Sequence, residues 1–147
     1  MAETDKAATF DSLRGKRVVI CEVEAITIMH LARAFERAGL NVVGSASDRP
    51  EALKVIKHER PDIITMDVHM PVLNGVETIR RVLHDHDACI VVISAYSDQE
   101  TKESAMEAGA CAYISKPIDG QNVVRTVEGA YREYQAKRTN AAPAPAG

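Results

Sequence analysis

Residues 61–75 read PDIITMDVHMPVLNG. The apolar run Asp62–Met66 stops at an acid, Asp67, and the chain then passes Pro71 and Gly75, which favour a turn. Its apolar side chains follow one another instead of alternating with polar ones. A strand buried on both faces has this pattern, as in a parallel sheet covered by helices. Four further runs share the character: Arg17–Cys21 (RVVIC), Asn41–Gly44 (NVVG), Cys89–Ser94 (CIVVIS) and Ala112–Ser115 (AYIS). The stretches between them are long enough for crossover helices, which parallel strands require.

Those stretches carry helical signals. Ile28, Leu31, Ala32 and Phe35 share one helix face, and Gly39 stops it. Asp48 with Glu51 forms a capping box ahead of Leu53 and Ile56, and Ser97 with Glu100 forms a second, closed by Gly109. Val76, Ile79 and Val82 form a stripe after Gly75. Asp119 caps a last helix bearing Val123, Val127 and Tyr131. Strand and helix thus alternate five times. Right-handed crossovers then predict an α/β, flavodoxin-like, doubly wound sheet of five parallel strands, order 2-1-3-4-5, with helices on both faces.

The 147 residues suffice for one domain with a real core. That domain is expected over residues 17–138, with a flexible arm at 1–16, whose one apolar pair, Phe10 and Leu13, leaves room for a short turn, and an Ala/Pro tail, TNAAPAPAG, at 139–147. Eighteen basic against 21 acidic residues give a net charge of −3, which argues against direct nucleic-acid binding and offers a membrane no polybasic patch. With no Trp, two Phe and four Tyr, a base-stacking platform is not expected. Three cysteines suit a reducing cytoplasm better than a disulfide scaffold. No apolar stretch reads as a signal peptide or membrane span.

In such a sheet the site lies at the carboxyl ends of the strands. There the sequence places Glu22-Val23-Glu24 after strand one, Asp67 after strand three, Ser94 ending strand four and Lys116-Pro117 after strand five. Clustered carboxylates call for a hard cation such as Mg²⁺. A metal and a Lys can gather a phosphoryl group beside an Asp nucleophile, and a Ser hydroxyl can bond one of its oxygens.

Residues 17 to 137 resemble a response-regulator receiver domain through ICEVE, PDIITMDVHMPVLNG, VVISAYSD and GACAYISKP, in that order. The AYSD and AYISKPI stretches are most similar to antiterminator-type regulators. Those carry an RNA-binding output domain, which is not expected in a chain ending in Ala/Pro. The resemblance implies a cytoplasmic signalling domain, not an enzyme. Asp67 would be the phosphoacceptor, Ser94 and Lys116 would contact the phosphoryl group, and Ser94 with Tyr113 would form the switch. Glu22, Asp67 and the His69 backbone carbonyl would hold Mg²⁺, and Lys116-Pro117 would be cis. His69 and Tyr96 would flank the acceptor. A histidine kinase or phosphotransfer protein would supply the phosphoryl group, and a separate output protein would read the result. A homodimer through the strand-four, strand-five and last-helix face stays open.

One position departs from the pattern. The family has two adjacent acids after strand one, and the second ligates the metal; here it is Val23, which cannot. Glu24 is expected to point elsewhere, leaving Mg²⁺ binding weak or absent. A pseudo-receiver acting by phosphorylation-independent protein contact is therefore the alternative.

Other features read as structural. His84, Asp85, His86, Asp87 and Cys89 resemble a metal cluster but fall at the far end of the sheet, as a solvated loop. Cys21, Cys89 and Cys111 read as inert buried thiols, with no disulfide expected between the neighbouring Cys89 and Cys111.

Overall fold

The computed structural model describes residues 11–69, 75–95 and 98–141, the last three by backbone alone. Its strands are β1 (Arg17–Cys21), β2 (Asn41–Ala46), β3 (Ile63–Met66), β4 (Cys89–Ser94) and β5 (Ala112–Ser115). Its helices are α1 (Ala25–Arg37), α2 (Arg49–Glu59), α3 (Gly75–Asp85), α4 (Gln99–Ala108) and α5 (Gly120–Ala141). The sheet order is β2-β1-β3-β4-β5 and every pairing is parallel, as the sequence predicts.

The continuous apolar runs divide between two cores because successive strand residues face opposite ways. Val19, Cys21, Ile64, Met66, Ile90 and Val92 meet α2, α3 and α4 through Ile56, Ile79, Val82 and Ala105. Val18, Ile20, Ile63, Val91 and Ile93 meet α1 and α5 through Leu31, Phe35, Val123 and Val127. Complete burial of Val18, Val19, Ile63, Ile64, Ile90 and Val91 explains why these runs do not alternate.

Helix starts follow the caps. Asp48 accepts from the Glu51 N–H at 2.9 Å, and Glu51 reaches back to the Ser47 N–H at 2.8 Å. Asp119 accepts from the Gln121 N–H at 3.0 Å. The cap of α4 is Asp98, which accepts from Thr101 N–H at 2.9 Å, one residue later than the expected start. Ser97 itself lies outside the described residues.

Regular structure extends past residues 17 and 138 at both ends. The arm predicted over residues 1–16 contains a 3-10 turn, Asp11–Leu13, whose Leu13 is completely buried. The turn docks on α5: Ser12 Oγ donates to Glu128 Oε2 at 2.8 Å, and the Lys16 ammonium lies 5.7 Å from the Tyr131 ring centre. Residues 1–10 lie outside the described residues. At the other end α5 runs on to Ala141, into the stretch read as tail. Nothing before Ala142 opposes helix; Ala142 precedes Pro143 and is the first residue a proline disfavours in helix.

Gly75, the first residue of α3, fixes the chain beyond Asp67. A Cβ there would sit 2.4 Å from the Val68 Cα, so the helix approaches the acceptor loop as closely as only glycine permits.

Candidate functional site

β1, β3 and β5 all end at the same edge of the sheet, and three of the expected residues meet there. Lys116 Nζ lies 2.9 Å from Glu22 Oε1 and 3.0 Å from Asp67 Oδ2. Glu22 is 1% exposed and Asp67 6%, so both carboxylates are taken out of water and share one ammonium. Burial alone pushes the Lys116 ammonium down. The bonds to Glu22 and Asp67 outweigh that, and its pKa is raised above the ordinary lysine value.

Each acid is also held by backbone. Glu22 Oε2 accepts from the Val23 and Glu24 N–H groups at 3.1 and 3.2 Å, at the entry to α1. Asp67 Oδ1 accepts from the His69 N–H at 2.9 Å, so the loop after β3 folds back over its own acid. Asp67 N–H donates to the Cys21 carbonyl at 3.0 Å, tying the end of β3 to β1. His69 is itself exposed.

Ser94 closes β4 and is buried; its carbonyl accepts from Lys116 N–H at 2.8 Å, which joins the ends of β4 and β5. The Lys116-Pro117 bond is cis. Tyr113 lies on β5 opposite Val92, half-buried against the core that contains Ile90 and Val92. Tyr96 lies outside the described residues.

Val23 is 44% exposed and adds no oxygen to the pocket. Glu24 departs from expectation. It turns toward the site, with Oε1 3.5 Å from Lys116 Nζ, while also accepting from Thr27 Oγ1 at 3.1 Å. The cause is the Lys116 charge, which draws in a carboxylate standing at the mouth of α1 although that side chain caps no helix N–H. The arrangement fits a hard cation, because carboxylate oxygens of Glu22 and Asp67 already converge on a single positive atom. Among the described residues, no three His, Cys, Asp or Glu side chains close into a metal-holding group.

The stretch read as a solvated loop is one only in part: His84 and Asp85 form the end of α3 and Cys89 opens β4, fully buried, so of these five residues only His86 and Asp87 lie in the connection. His84 Nδ1 pairs with Asp85 at 3.0 Å and His86 Nε2 with the Pro61 carbonyl at 2.8 Å. No described helix is long and apolar enough to cross a membrane.

Comparison with known proteins agrees with this geometry. Residues 18–128 match the family model described as response regulator receiver domain. The transcriptional regulatory protein PdtaR of Mycobacterium tuberculosis is 34% identical over 125 residues, covering 85% of this chain and 61% of PdtaR. The chain thus spans about three-fifths of that relative. The chemotaxis protein CheY of Thermotoga maritima is 38% identical over 114 residues, covering 77% of this chain and 95% of CheY. Among solved structures, the signal receiver domain of the response regulator NarL from M. tuberculosis superposes with a TM-score of 0.76 at 26% identity, covering 81% of this chain and 98% of that one. CheY in the CheX-CheY-BeF3-Mg complex of Borrelia burgdorferi does so with a TM-score of 0.78 at 26% identity, covering 86% and 98%. With a sheet of the same order, a family match over most of its length and a relative aligned almost end to end, the chain belongs to the response-regulator receiver domain family of two-component signalling.

Proposed function

We propose that Asp67 accepts a phosphoryl group from a phosphohistidine of a histidine kinase or phosphotransfer protein. The single observation carrying this reading is the Lys116 ammonium bridging Asp67 Oδ2 and Glu22 Oε1 at about 3 Å, at the carboxyl edge of a doubly wound sheet. An Asp67 oxygen attacks phosphorus, the P–N bond to imidazole breaks, and the leaving imidazole keeps the electron pair and takes a proton. Lys116 stays close and neutralises charge on the transferred oxygens. The Ser94 hydroxyl receives one of those oxygens, and Tyr113 moves inward with it. The His69 N–H holds the other Asp67 oxygen in place.

Mg²⁺, which the family uses, would be held by Glu22, Asp67 and the His69 carbonyl, and supplies charge stabilisation on the phosphoryl oxygens when bound. Val23 removes one ligand, so binding is weaker than in a pocket with two adjacent acids. The altered surface of β4, β5 and α5 would signal to a separate protein, or to a second copy of the chain. The domain acts as a signalling element in the cytoplasm, not on nucleic acid or membrane, and without turning over a substrate of its own.

The test uses a small phosphoryl donor with Mg²⁺. The wild type should gain one phosphate by intact mass and Asp67→Asn should gain none. Val23→Asp should phosphorylate faster and bind Mg²⁺ more tightly by calorimetry. Absence of any adduct in both wild type and Val23→Asp, with donor and with a kinase, would favour the pseudo-receiver reading that Val23 suggests.

A further inference from the structure

Away from the Asp67 pocket, at the opposite edge of the sheet, two thiols lie side by side. Cys89 opens β4 and Cys111 stands immediately before β5. The Cys111 N–H donates to the Ile90 carbonyl at 2.7 Å, so the two cysteines are diagonal neighbours across the β4–β5 pairing. A strand spacing of about 4.8 Å and a rise of about 3.3 Å put their Cα atoms roughly 6 Å apart, within the range a disulfide spans. Regular alternation would send the two side chains to opposite faces. Cys111 precedes the strand, however, and both thiols pack on the α1–α5 side, among Val91, Ala112 and Tyr134. Cys89 is fully buried while Cys111 is half-buried, so the pair has one outer and one inner member.

We propose that Cys89 and Cys111 form an oxidisable dithiol: a hydroperoxide oxidises Cys111, and Cys89 converts the product to an intramolecular disulfide beneath α5. In the first step the Cys111 sulfur attacks a peroxide oxygen. An S–O bond forms, the O–O bond breaks, and the alcohol or water leaves with a proton. In the second step the Cys89 sulfur attacks Cys111, the S–O bond breaks, and hydroxide departs with the Cys89 proton as water. Two thiols are oxidised and one peroxide is reduced.

The division of labour follows from the surroundings. The neighbouring Cys89 thiol favours a Cys111 thiolate, and the Ile90 backbone and the Lys137 charge assist, against the cost of burial; together they lower the Cys111 thiol below its ordinary value. Cys89 is pushed well above the ordinary thiol value by its Cys111 neighbour and by burial, so it stays protonated. Cys21 is an internal control, raised to about 12 by burial and by the Glu51 charge. The new bond would tie the amino-terminal ends of β4 and β5 together two residues ahead of Tyr113, under Tyr134 of α5. It draws on no part of the phosphoryl chemistry.

The experiment treats the reduced full chain with hydrogen peroxide at pH 7, unfolds it, alkylates the remaining thiols with N-ethylmaleimide and digests it with trypsin. Cleavage after Arg81, Lys102 and Arg125 places the two cysteines in separate peptides, 82–102 and 103–125. The expected result is monomer lighter by two hydrogens, one alkylated thiol at Cys21, and a linked pair of those peptides. Cys21→Ser should behave identically. Cys111→Ser should form no link and lose peroxide reactivity about tenfold, as expected when an activated thiol is replaced by ordinary ones. Cys89→Ser should leave a sulfenic acid on Cys111 that dimedone traps. Three alkylated thiols after peroxide, a link only between chains, or a stable dimedone adduct on the wild type would each overturn the proposal.

Discussion

Lys116→Met removes the one cation that Glu22 and Asp67 share while keeping most of the side chain's length. Both acceptor oxygens lie about 3 Å from Nζ, and both acids are almost fully buried. Their oxygens are therefore within about 6 Å of each other, and at an effective dielectric of about 20 two like charges at that distance repel by roughly 3 kcal/mol. That agrees with the roughly 3–5 kcal/mol cost of removing one member of a buried ion pair. The variant should lose about 3 kcal/mol at pH 7, read by urea unfolding under far-UV circular dichroism, since the chain has no Trp. Asp67→Asn added to Lys116→Met should restore most of that loss, because one uncompensated charge disappears. Millimolar Mg²⁺ should stabilise the single variant more than the wild type. A loss below about 1 kcal/mol, or no recovery in the double variant, would show that the two carboxylates are not held as a confined like-charge pair.

Alkaline titration gives a second check. The Lys116 value is raised on folding, so its stabilisation is complete below the unfolded value of 10.5 and is lost as pH rises through the higher folded one. The wild type should therefore lose more stability than Lys116→Met above that pH, measured by unfolding at each. Gly75→Ala should lower stability by about 2 kcal/mol despite the better helix former, because its Cβ meets the Val68 backbone at 2.4 Å; thermal melting reads this. Thr65→Val should raise stability by about 1 kcal/mol, since Thr65 Oγ1 is buried with no hydrogen-bond partner among the described residues; urea midpoints decide it.

The fold was legible because burial on both faces leaves unbroken Val and Ile runs, and only covered parallel strands tolerate them. The pocket was legible in Asp67, Glu22 and Lys116, whose places at strand ends follow from topology alone. Glu24 was not, because whether a residue at a helix mouth turns inward depends on a charge from β5, 92 residues away in sequence. The docking of Leu13 was not legible for a related reason. Phe10 and Leu13 make one apolar pair in a polar arm, too short a pattern to show a period, and the burial of Leu13 is decided by α5, more than a hundred residues away in sequence. The reach of α5 to Ala141 was misjudged because Ala and Pro were read together, though only Pro opposes helix. The shared face of Cys89 and Cys111 was not legible either, because Cys111 stands one residue before β5 and so escapes the alternation that would have separated the two.

The docking of the Asp11–Leu13 turn on α5 bears on the order in which the molecule assembles. Ser12 and Glu128 are 116 residues apart in sequence, and closing a loop that long costs roughly 4 kcal/mol of chain entropy if nothing has formed before it. Once the five strands have paired, most of that cost has already been met by nearer contacts. The clasp between the two ends is thus a late event in folding, and the first to open when the native state breathes. On the ribosome Ser12 emerges early and waits for the last helix before it finds Glu128. Amide exchange at Arg14, whose N–H donates to the Asp11 carbonyl, should follow the fraying of α5 and not the global unfolding of the sheet.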